Sequence, residues 1–254
     1  MDVYWLQQSE ADLPATDDWL SESESTRLNS FRIAKRRSDW RLGRWTAKRA
    51  VAACMKFPDD PVSLRQIEII PASTGQPEVT LRDRAETVTI SISHREGIGI
   101  CAVALGTVQL GCDLEIIEPR SDAFIADYFT AKEQELIAQA TDEKRTLLVS
   151  LLWSAKESAL KALHVGLRAD TRSVEVNIID SLGYWSGEPM THVMKNVPPS
   201  EMANDSANKW CPLQVHCSDG TNFCGWWQYS ADTMRTIVAA PSSALPIELK
   251  SPSR

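Results

Sequence analysis

Residues 87–117, TVTISISHREGIGICAVALGTVQLGCDLEII, decide the fold. Apolar runs flank a short turn at Arg95-Glu96-Gly97, and this pattern predicts an antiparallel hairpin over residues 87–105. Another strand is predicted after Gly106, in the run VQLGCDLEII. Because the side chains of a strand alternate between its two faces, Asp113 and Glu115 share one face and the apolar residues share the other. Two carboxylates therefore stand on one face of an otherwise apolar strand.

Helices are predicted on both sides of this stretch. Residues 25–55 and 144–164 each have helical periodicity, and a glycine at position 166 is placed to end the second helix. Thr130 and Glu133 have the spacing of a capping box, which opens a shorter helix. Further strands are predicted at residues 65–70, 173–179, 223–229 and 235–239.

The elements divide into two comparable halves, each with a helix followed by strands, that meet near residues 106–110. No short internal repeat is evident. We therefore expect an α+β protein with an N-terminal subdomain over residues 1–106, a C-terminal subdomain over residues 107–240 and a loosely ordered tail over residues 241–254. The most interesting residues are expected near the junction of the two halves.

Composition narrows the class of protein. The 254 residues are 43% apolar and 24% charged, which is ordinary for a globular chain, and no stretch approaches the roughly 20 apolar residues of a membrane-spanning helix. An integral membrane protein and a disordered chain are excluded. The N-terminus lacks the pattern of a signal peptide, and the six cysteines are scattered without a disulfide framework. We expect a cytoplasmic protein that does not act at a membrane.

Charge is distributed unevenly along the chain. The net charge of −7 argues against bulk binding to nucleic acid, yet residues 27–49 hold nine Lys and Arg against the single acid Asp39. Four of these bases form one stripe on the predicted helix, and either a solvated face or a site for an anionic ligand explains them. The four are Arg37, Arg41, Arg44 and Lys48.

Several other residues could carry chemistry. Asp113 and Glu115 lie about 7 Å apart on one strand face and could converge on a hard cation, although on this motif alone a solvated face is favoured. Glu157 and Lys161 lie opposite the apolar stripe of their helix, where a surface ion pair is the favoured interpretation. His94 ends a strand, either as a rim residue or as a phosphate contact.

The order of these pieces is more specific than any one of them. The chain has an Arg-rich helix, then Gly75-Gln76-Pro77, then Ser91-Ile92-Ser93-His94, then Gly111-Cys112-Asp113-Leu114-Glu115, and then the run WSAKESALK over residues 153–161. This order resembles the 4'-phosphopantetheinyl transferases of the surfactin-synthetase-activating type, over about residues 30–180. The motifs at 111–115 and 153–161 are the specific part.

The resemblance implies a pseudo-twofold α+β monomer with its active site in the cleft between two similar subdomains. The N-terminal subdomain would bind coenzyme A (CoA), and the C-terminal subdomain would carry the metal-binding carboxylates. The enzyme would use Mg²⁺ to transfer the phosphopantetheine arm of CoA to a serine of an apo acyl or peptidyl carrier protein, releasing adenosine 3',5'-bisphosphate.

The resemblance also implies roles for individual residues. Asp113, Glu115 and Glu157 would bind the metal, and Glu157, Lys161 and His94 would be catalytic. Glu157, or a metal-bound water that it polarises, is the candidate base for the serine hydroxyl, and Lys161 would stabilise the departing phosphate. The CoA-binding set would be Arg37, Arg41, Arg44, Lys48, Gly75, Gln76, Pro77, Ser93, His94 and Lys161.

Two positions depart from the family pattern, and two other functions are considered. Gln76 stands where the family usually has a basic residue, and Arg95 follows His94 where a small residue is usual. Arg95 could supply a compensating charge. The alternatives are a non-enzymatic anion-binding module and a different Mg²⁺-dependent phosphoryl or nucleotide hydrolase.

Overall fold

The computed structural model describes residues 1–82, 84–179 and 209–250, which form six α-helices, eleven strands and three short 3₁₀ turns. The helices are α1 (Glu22–Ser30), α2 (Ala34–Met55), α3 (Pro61–Arg65), α4 (Asp122–Tyr128), α5 (Ala131–Gln139) and α6 (Asp142–Ala162). The strands are β1 (Tyr4–Ser9), β2 (Ile67–Pro71), β3 (Pro77–Leu81), β4 (Val88–Arg95), β5 (Ile98–Leu105), β6 (Gln109–Ile116), β7 (Val174–Ile178), β8 (Cys211–Cys217), β9 (Asn222–Ser230), β10 (Thr233–Ala240) and β11 (Ile247–Glu248).

Each half packs one long helix on one sheet. In the N-terminal half α2 covers the sheet β11-β1-β5-β4, and in the C-terminal half α6 covers the sheet β6-β10-β9-β8-β7. Each helix buries small apolar side chains against its sheet, with Ala47 and Val51 in α2 and Ala155 and Ala159 in α6. The α+β class and the two similar halves are therefore confirmed.

The two halves repeat the same order of elements. In the first half β1 pairs antiparallel with β5, β5 pairs with β4, and β2 pairs with β3. In the second half β6 pairs with β10, β10 pairs with β9, and β7 pairs with β8 in the same sense. The long helices carry a matching tetrapeptide, Trp45-Thr46-Ala47-Lys48 and Trp153-Ser154-Ala155-Lys156. The similarity of the two halves lies in the order and pairing of their elements, and this tetrapeptide is a small trace of it in the sequence.

The halves meet where β4 lies beside β6. Cys112 N donates to Ser91 Oγ at 2.9 Å, and Cys112 Sγ donates to the Ser91 carbonyl at 3.0 Å. Behind this seam, α6 packs directly on β6 at Gly111, where an added Cβ would overlap the carbonyl oxygen of Ser158 and lie 3.0 Å from Ala162 N. The absence of a side chain at Gly111 therefore lets α6 approach the strand that carries Asp113.

Most of the predicted elements are present, with two differences. The helix expected over residues 25–55 is two helices, because the backbone is extended at Phe31 and Ile33, where α1 ends and α2 begins. Within the segment expected to be a loose tail, Ile247 and Glu248 pair parallel with β1 of the N-terminal half; residues 251–254 lie outside the described residues. In the described ranges, no helix has the length and apolar character needed to cross a membrane.

Candidate functional site

Lys161 joins the two most specific motifs. It lies on α6, and its Nζ donates to Asp113 Oδ1 on β6 at 2.6 Å and to Ser93 Oγ on β4 at 3.0 Å. Ser93 Oγ in turn donates to Asp113 Oδ1 at 2.9 Å. Asp113 is only 2% exposed, and Oδ2 has no hydrogen-bond partner among the described residues. The three side chains form one network across the seam, with one carboxylate oxygen unused.

Glu157 lies beside this network, one helical turn before Lys161. Its Oε2 is 4.0 Å from Lys161 Nζ. Burial and the nearby Asp113 carboxylate raise the pKa of Glu157 to about 7. For Lys161, burial acts to lower the pKa, but Asp113, Cys112 and Glu157 together outweigh this effect and the pKa is raised. The site therefore combines a permanent ammonium with a carboxyl group that gains and loses its proton near neutral pH.

Glu115 lies in a different environment. Trp153 Nε1 donates to Glu115 Oε1 at 3.2 Å, and Arg120 Nη2 lies 3.5 Å from Oε2. Arg95 pairs with Glu118, and its Nε lies 3.9 Å from Glu115 Oε2. Burial raises the pKa of Glu115, and the charge of Asp113 acts in the same direction. The guanidinium of Arg95 thus lies on the carboxylate side of the site, with two acidic partners.

These residues fit a hard cation in part. Carboxylate oxygens are the ligands that Mg²⁺ prefers, and the unpartnered Oδ2 of Asp113 together with the destabilised charge of Glu157 are features that a cation would relieve. Within the described residues, however, no three Asp, Glu, His or Cys side chains are already arranged as a ligand set. Lys161 Nζ lies 2.6 Å from Asp113 Oδ1 and 4.0 Å from Glu157 Oε2, so its charge pairs mainly with Asp113.

A basic cleft lies on the other side of β4. It has a volume of about 510 Å³. Its positive groups come from α1 and α2, and Arg27 and Arg36 both stack on the ring of Phe31. Burial lowers the pKa of His94, so its ring is neutral at pH 7. The lining residues are Arg27, Phe31, Ile33, Lys35, Arg36, Asp39, Trp40, Arg44, Pro71, Gly75 and His94.

The structure corrects the stripe of four bases predicted on this helix. Lys48 is 0% exposed and is paired with Glu24, so it cannot reach a ligand. Arg41 pairs with Asp17 and donates to two backbone carbonyls. Arg37 is exposed and does not line the basic cleft. Of the four bases, only Arg44 lines the cleft. The prediction grouped all four because the sequence does not show which residues of the N-terminal segment fold over the helix.

A second cavity, the loop cleft, has a volume of about 370 Å³ and shares Gly75 with the basic cleft. The loop between β2 and β3 forms one wall and the end of α6 forms the other. Arg168 joins these walls, since its Nη2 donates to the Thr74 carbonyl at 3.1 Å. The lining residues are Thr74, Gly75, Gln76, Pro77, Ile90, Ser91, Ile92, Leu110, Lys161, His164, Val165, Gly166, Leu167 and Arg168. Gln76 and Lys161 thus face one cavity.

Sequence reasoning missed several residues of these clefts. Arg27, Lys35 and Arg36 lie within the basic stretch of residues 27–49, but the break between α1 and α2 turns them toward one cavity, which a single helical wheel cannot reproduce. Arg168 follows the terminating Gly166 and belongs to no periodic element. Its proximity to Thr74 depends on how the two halves meet.

Comparisons with known proteins find similarity to phosphopantetheinyl transferases. A sequence model described as the 4'-phosphopantetheinyl transferase superfamily matches residues 109–197. A Synechocystis protein provisionally assigned as a 4'-phosphopantetheinyl transferase is 28% identical over 113 residues, which cover 43% of this chain and 45% of that protein. The mouse L-aminoadipate-semialdehyde dehydrogenase-phosphopantetheinyl transferase is 26% identical over 193 residues, which cover 69% of this chain and 60% of that protein.

Among solved structures, the holo-(acyl-carrier-protein) synthase of Bacillus anthracis in complex with CoA (3',5'-ADP) overlaps 41% of this chain and 94% of its own chain. The TM-score is 0.36 and the sequence identity 19%. This chain spans about half of the Synechocystis relative and 60% of the mouse relative. The match over residues 109–197 includes both specific motifs and supports the resemblance at the level of the superfamily.

Proposed function

We propose that this protein transfers the phosphopantetheine arm of CoA to a serine of an apo acyl or peptidyl carrier protein, as a 4'-phosphopantetheinyl transferase of the surfactin-synthetase-activating type. The observation that carries the proposal is the contact of Lys161 with Asp113 and Glu157, next to a cavity that continues into a basic cleft. An ammonium and carboxylates at one end, and separate positive charge at the other, suit a ligand with a pyrophosphate and a second phosphate group.

CoA would bind across both clefts. Its 3'-phosphate would lie in the basic cleft, where Arg27, Arg36 and Arg44 supply positive charge and the neutral His94 supplies a ring N–H. The loop at Gly75, Gln76 and Pro77 forms the wall common to both cavities and would contact the nucleoside part. Residues 1–106 would thus supply most of the nucleotide contacts, and residues 107–240 the reacting groups.

Mg²⁺ would be held by Asp113 and Glu157, with Glu115 as the third carboxylate of the set. When bound, the ion would neutralise the charge of the pyrophosphate and orient it for in-line displacement. Lys161 would leave its contact with Asp113 and donate to the departing phosphate. Ser93 Oγ, which already donates to Asp113, would fix the orientation of that carboxylate.

Glu157 would act on the attacking hydroxyl. The serine Oγ forms a bond to the β-phosphorus of CoA, the bond to the bridging oxygen breaks, and adenosine 3',5'-bisphosphate leaves. The proton of the hydroxyl would move to the Glu157 carboxylate, through the oxygen that the metal leaves free. Positioning of the two substrates lowers the activation barrier further, because the serine hydroxyl and the β-phosphorus are held in line for the reaction.

We further propose that the enzyme acts as a cytoplasmic monomer. One chain contains both halves of the cleft, so a second copy is not needed to complete the site. All six cysteines are free, which suits a reducing compartment.

Release of adenosine 3',5'-bisphosphate, measured by liquid chromatography with and without an apo carrier protein, tests the proposal. A transferase releases the nucleotide only when both the carrier protein and Mg²⁺ are present. A hydrolase releases it without the carrier, and a binding module releases none, so either outcome would contradict the proposal.

A further inference from the structure

Each half of the protein contains a fully buried lysine on its long helix, in the repeated tetrapeptide. Lys48 and Lys156 are both 0% exposed. Lys48 pairs with Glu24, and Lys156 Nζ lies 2.8 Å from Glu133 Oε2. Each lysine also donates to two backbone carbonyls. Their charges are therefore satisfied entirely inside the protein.

The acidic partners are matched as well. Glu24 is the third residue of α1 and belongs to a capping box with Ser21, and Glu133 is the third residue of α5 and belongs to a capping box with Thr130. Each carboxylate also accepts from a strand, Glu24 from Ile69 N on β2 and Glu133 from Val176 N on β7. One buried carboxylate thus ties a short helix, a long helix and a strand together in each half.

We call each buried pair, Lys48 with Glu24 and Lys156 with Glu133, a clamp. The two clamps differ in the residues that follow the lysine on the helix. Lys156 is followed by Glu157 and, one turn later, by Lys161, which contact the seam between the halves. At the same places after Lys48, the N-terminal half has Arg49, which pairs with Asp59, and Ala53. Only the clamp at Lys156 therefore lies on a helix that carries reacting groups.

We propose that Lys156 is a positioning residue for the transfer reaction, acting through its buried pair with Glu133. The pair fixes α6 against α5 and β7, and this sets the rotation of α6 that points Glu157 and Lys161 at Asp113. Lys156 touches neither substrate nor metal, since its side chain has no exposed surface. Its effect is on the placement of its neighbours, where displacements near 1 Å can cost about a hundredfold in rate.

The inference rests on the proposed transferase activity, and the repeat supplies a matched control. The double variant Glu133→Gln, Lys156→Met removes both charges of one clamp, and Glu24→Gln, Lys48→Met removes those of the other. Neutralising both partners avoids leaving an uncompensated buried charge, which would prevent folding. Each double variant loses one buried ion pair and the two bonds from lysine to backbone carbonyls, so thermal unfolding should show similar losses of stability. Glu24 also lies 4.0 Å from Arg44 of the basic cleft, so the two variants are compared on kcat and metal affinity and not on KM for CoA.

Thermal unfolding gives the melting temperature of each variant. The values of kcat and KM for CoA, and the affinity for Mn²⁺ measured by electron paramagnetic resonance without CoA, are then determined well below both melting temperatures. We expect the double variant at Lys156 to lose about tenfold or more in kcat and to bind Mn²⁺ more weakly. The double variant at Lys48 should stay within about twofold of the parent in both kcat and Mn²⁺ affinity. Equal effects of the two pairs, or an unchanged kcat and Mn²⁺ affinity in the Lys156 pair, would overturn the inference. Absence of transfer by the unaltered protein would instead refute the proposed function.

Discussion

The ammonium of Lys161 lies 2.6 Å from Asp113 Oδ1, on the line where the two halves of the protein meet. The contact joins α6 to β6, and Ser93 of β4 completes it from the N-terminal half. Glu157 is held close to the same ammonium. Since these residues come from three separate segments, the site forms only when both halves are folded against each other.

Asp113→Asn should abolish transfer while leaving the fold intact. The change removes the charge of a proposed metal ligand but keeps an acceptor for Ser93 and Lys161, so we expect kcat/KM to fall by about a hundredfold or more. Steady-state kinetics with CoA and an apo carrier protein give the value, and circular dichroism checks the fold. Glu118→Gln is the control, because Glu118 pairs only with Arg95 and Arg120 in the described structure. Retention of more than about a tenth of kcat/KM by the Asp113 variant would reject ligation by this residue.

Arg36→Ala and Arg37→Ala separate two neighbouring bases on α2. Arg36 lines the basic cleft and Arg37 does not. Loss of one charge-assisted contact costs about 1.5–3 kcal/mol, so the Arg36 variant should raise KM for CoA roughly tenfold or more and should discriminate less between CoA and dephospho-CoA. The Arg37 variant should behave as the parent does. A larger effect at Arg37 than at Arg36 would place the 3'-phosphate on the other face of the helix.

Glu157→Gln should stabilise the metal-free protein at high pH. The carboxyl has a pKa of about 7 in the folded protein against an ordinary value of 4.5. Its charged form is therefore disfavoured by folding, and stability is lost as pH rises from about 4.5 to about 7, by up to about 3 kcal/mol. In the presence of a chelator, the variant should melt at a higher temperature than the parent. This difference in melting temperature should be small at pH 5 and reach its full size at pH 8. Added Mg²⁺ should raise the melting temperature of the parent more than that of the variant. An equal advantage at both pH values would contradict the burial of this charge.

Gly111→Ala should reduce both stability and activity. An alanine Cβ would overlap the Ser158 carbonyl, so α6 has to move away from β6. Such crowding costs about 1–3 kcal/mol, and it displaces Glu157 and Lys161 from Asp113. Gly106→Ala is the comparison, since it meets open space and strains only a positive φ of +89°. Denaturant unfolding and kcat should both fall in the Gly111 variant, whereas the Gly106 variant should lose stability alone. Normal kcat in the Gly111 variant would show that the helix position is not critical.

Arg168→Ala should weaken CoA binding through the loop between β2 and β3. In the parent protein, the bond from Arg168 to the Thr74 carbonyl holds that loop to the segment after α6. Because Arg168 is exposed and its charge is screened by solvent, the bond is worth about 1 kcal/mol, or roughly fivefold in affinity. Isothermal titration with CoA measures the loss. Arg172→Ala serves as the control because Arg172 pairs with Asp170 and does not line the loop cleft. Equal binding by the two variants would remove Arg168 from the site.

Much of the fold follows from sequence periodicity, and part of the site does not. Alternation predicted the hairpin of β4 and β5 and the acidic face of β6, because neighbouring side chains in a strand point to opposite sides. Periodicity also predicted α6. The roles of Glu157 and Lys161 came from the resemblance, because a helical wheel places them opposite the apolar stripe and cannot show that β6 lies there.

The bases of α2 show the reverse error. A wheel grouped Lys48 with Arg44, but Lys48 is buried because Glu24 of the preceding helix reaches it from 24 residues away in the chain. That pairing depends on tertiary folding. The capping box that positions Glu24 is a local signal, and combined with the repeated tetrapeptide it could have revealed the buried pair.

The intact mass of an apo carrier protein, measured after incubation with this protein, CoA and Mg²⁺, tests the central claim most directly. The account predicts that the carrier gains one phosphopantetheine group, that a carrier whose acceptor serine is replaced by alanine gains none, and that the Asp113→Asn protein gives no product in the same time. The claim would be contradicted if every carrier in a panel from fatty-acid, polyketide and nonribosomal-peptide systems stayed unmodified while the enzyme was folded and had CoA bound.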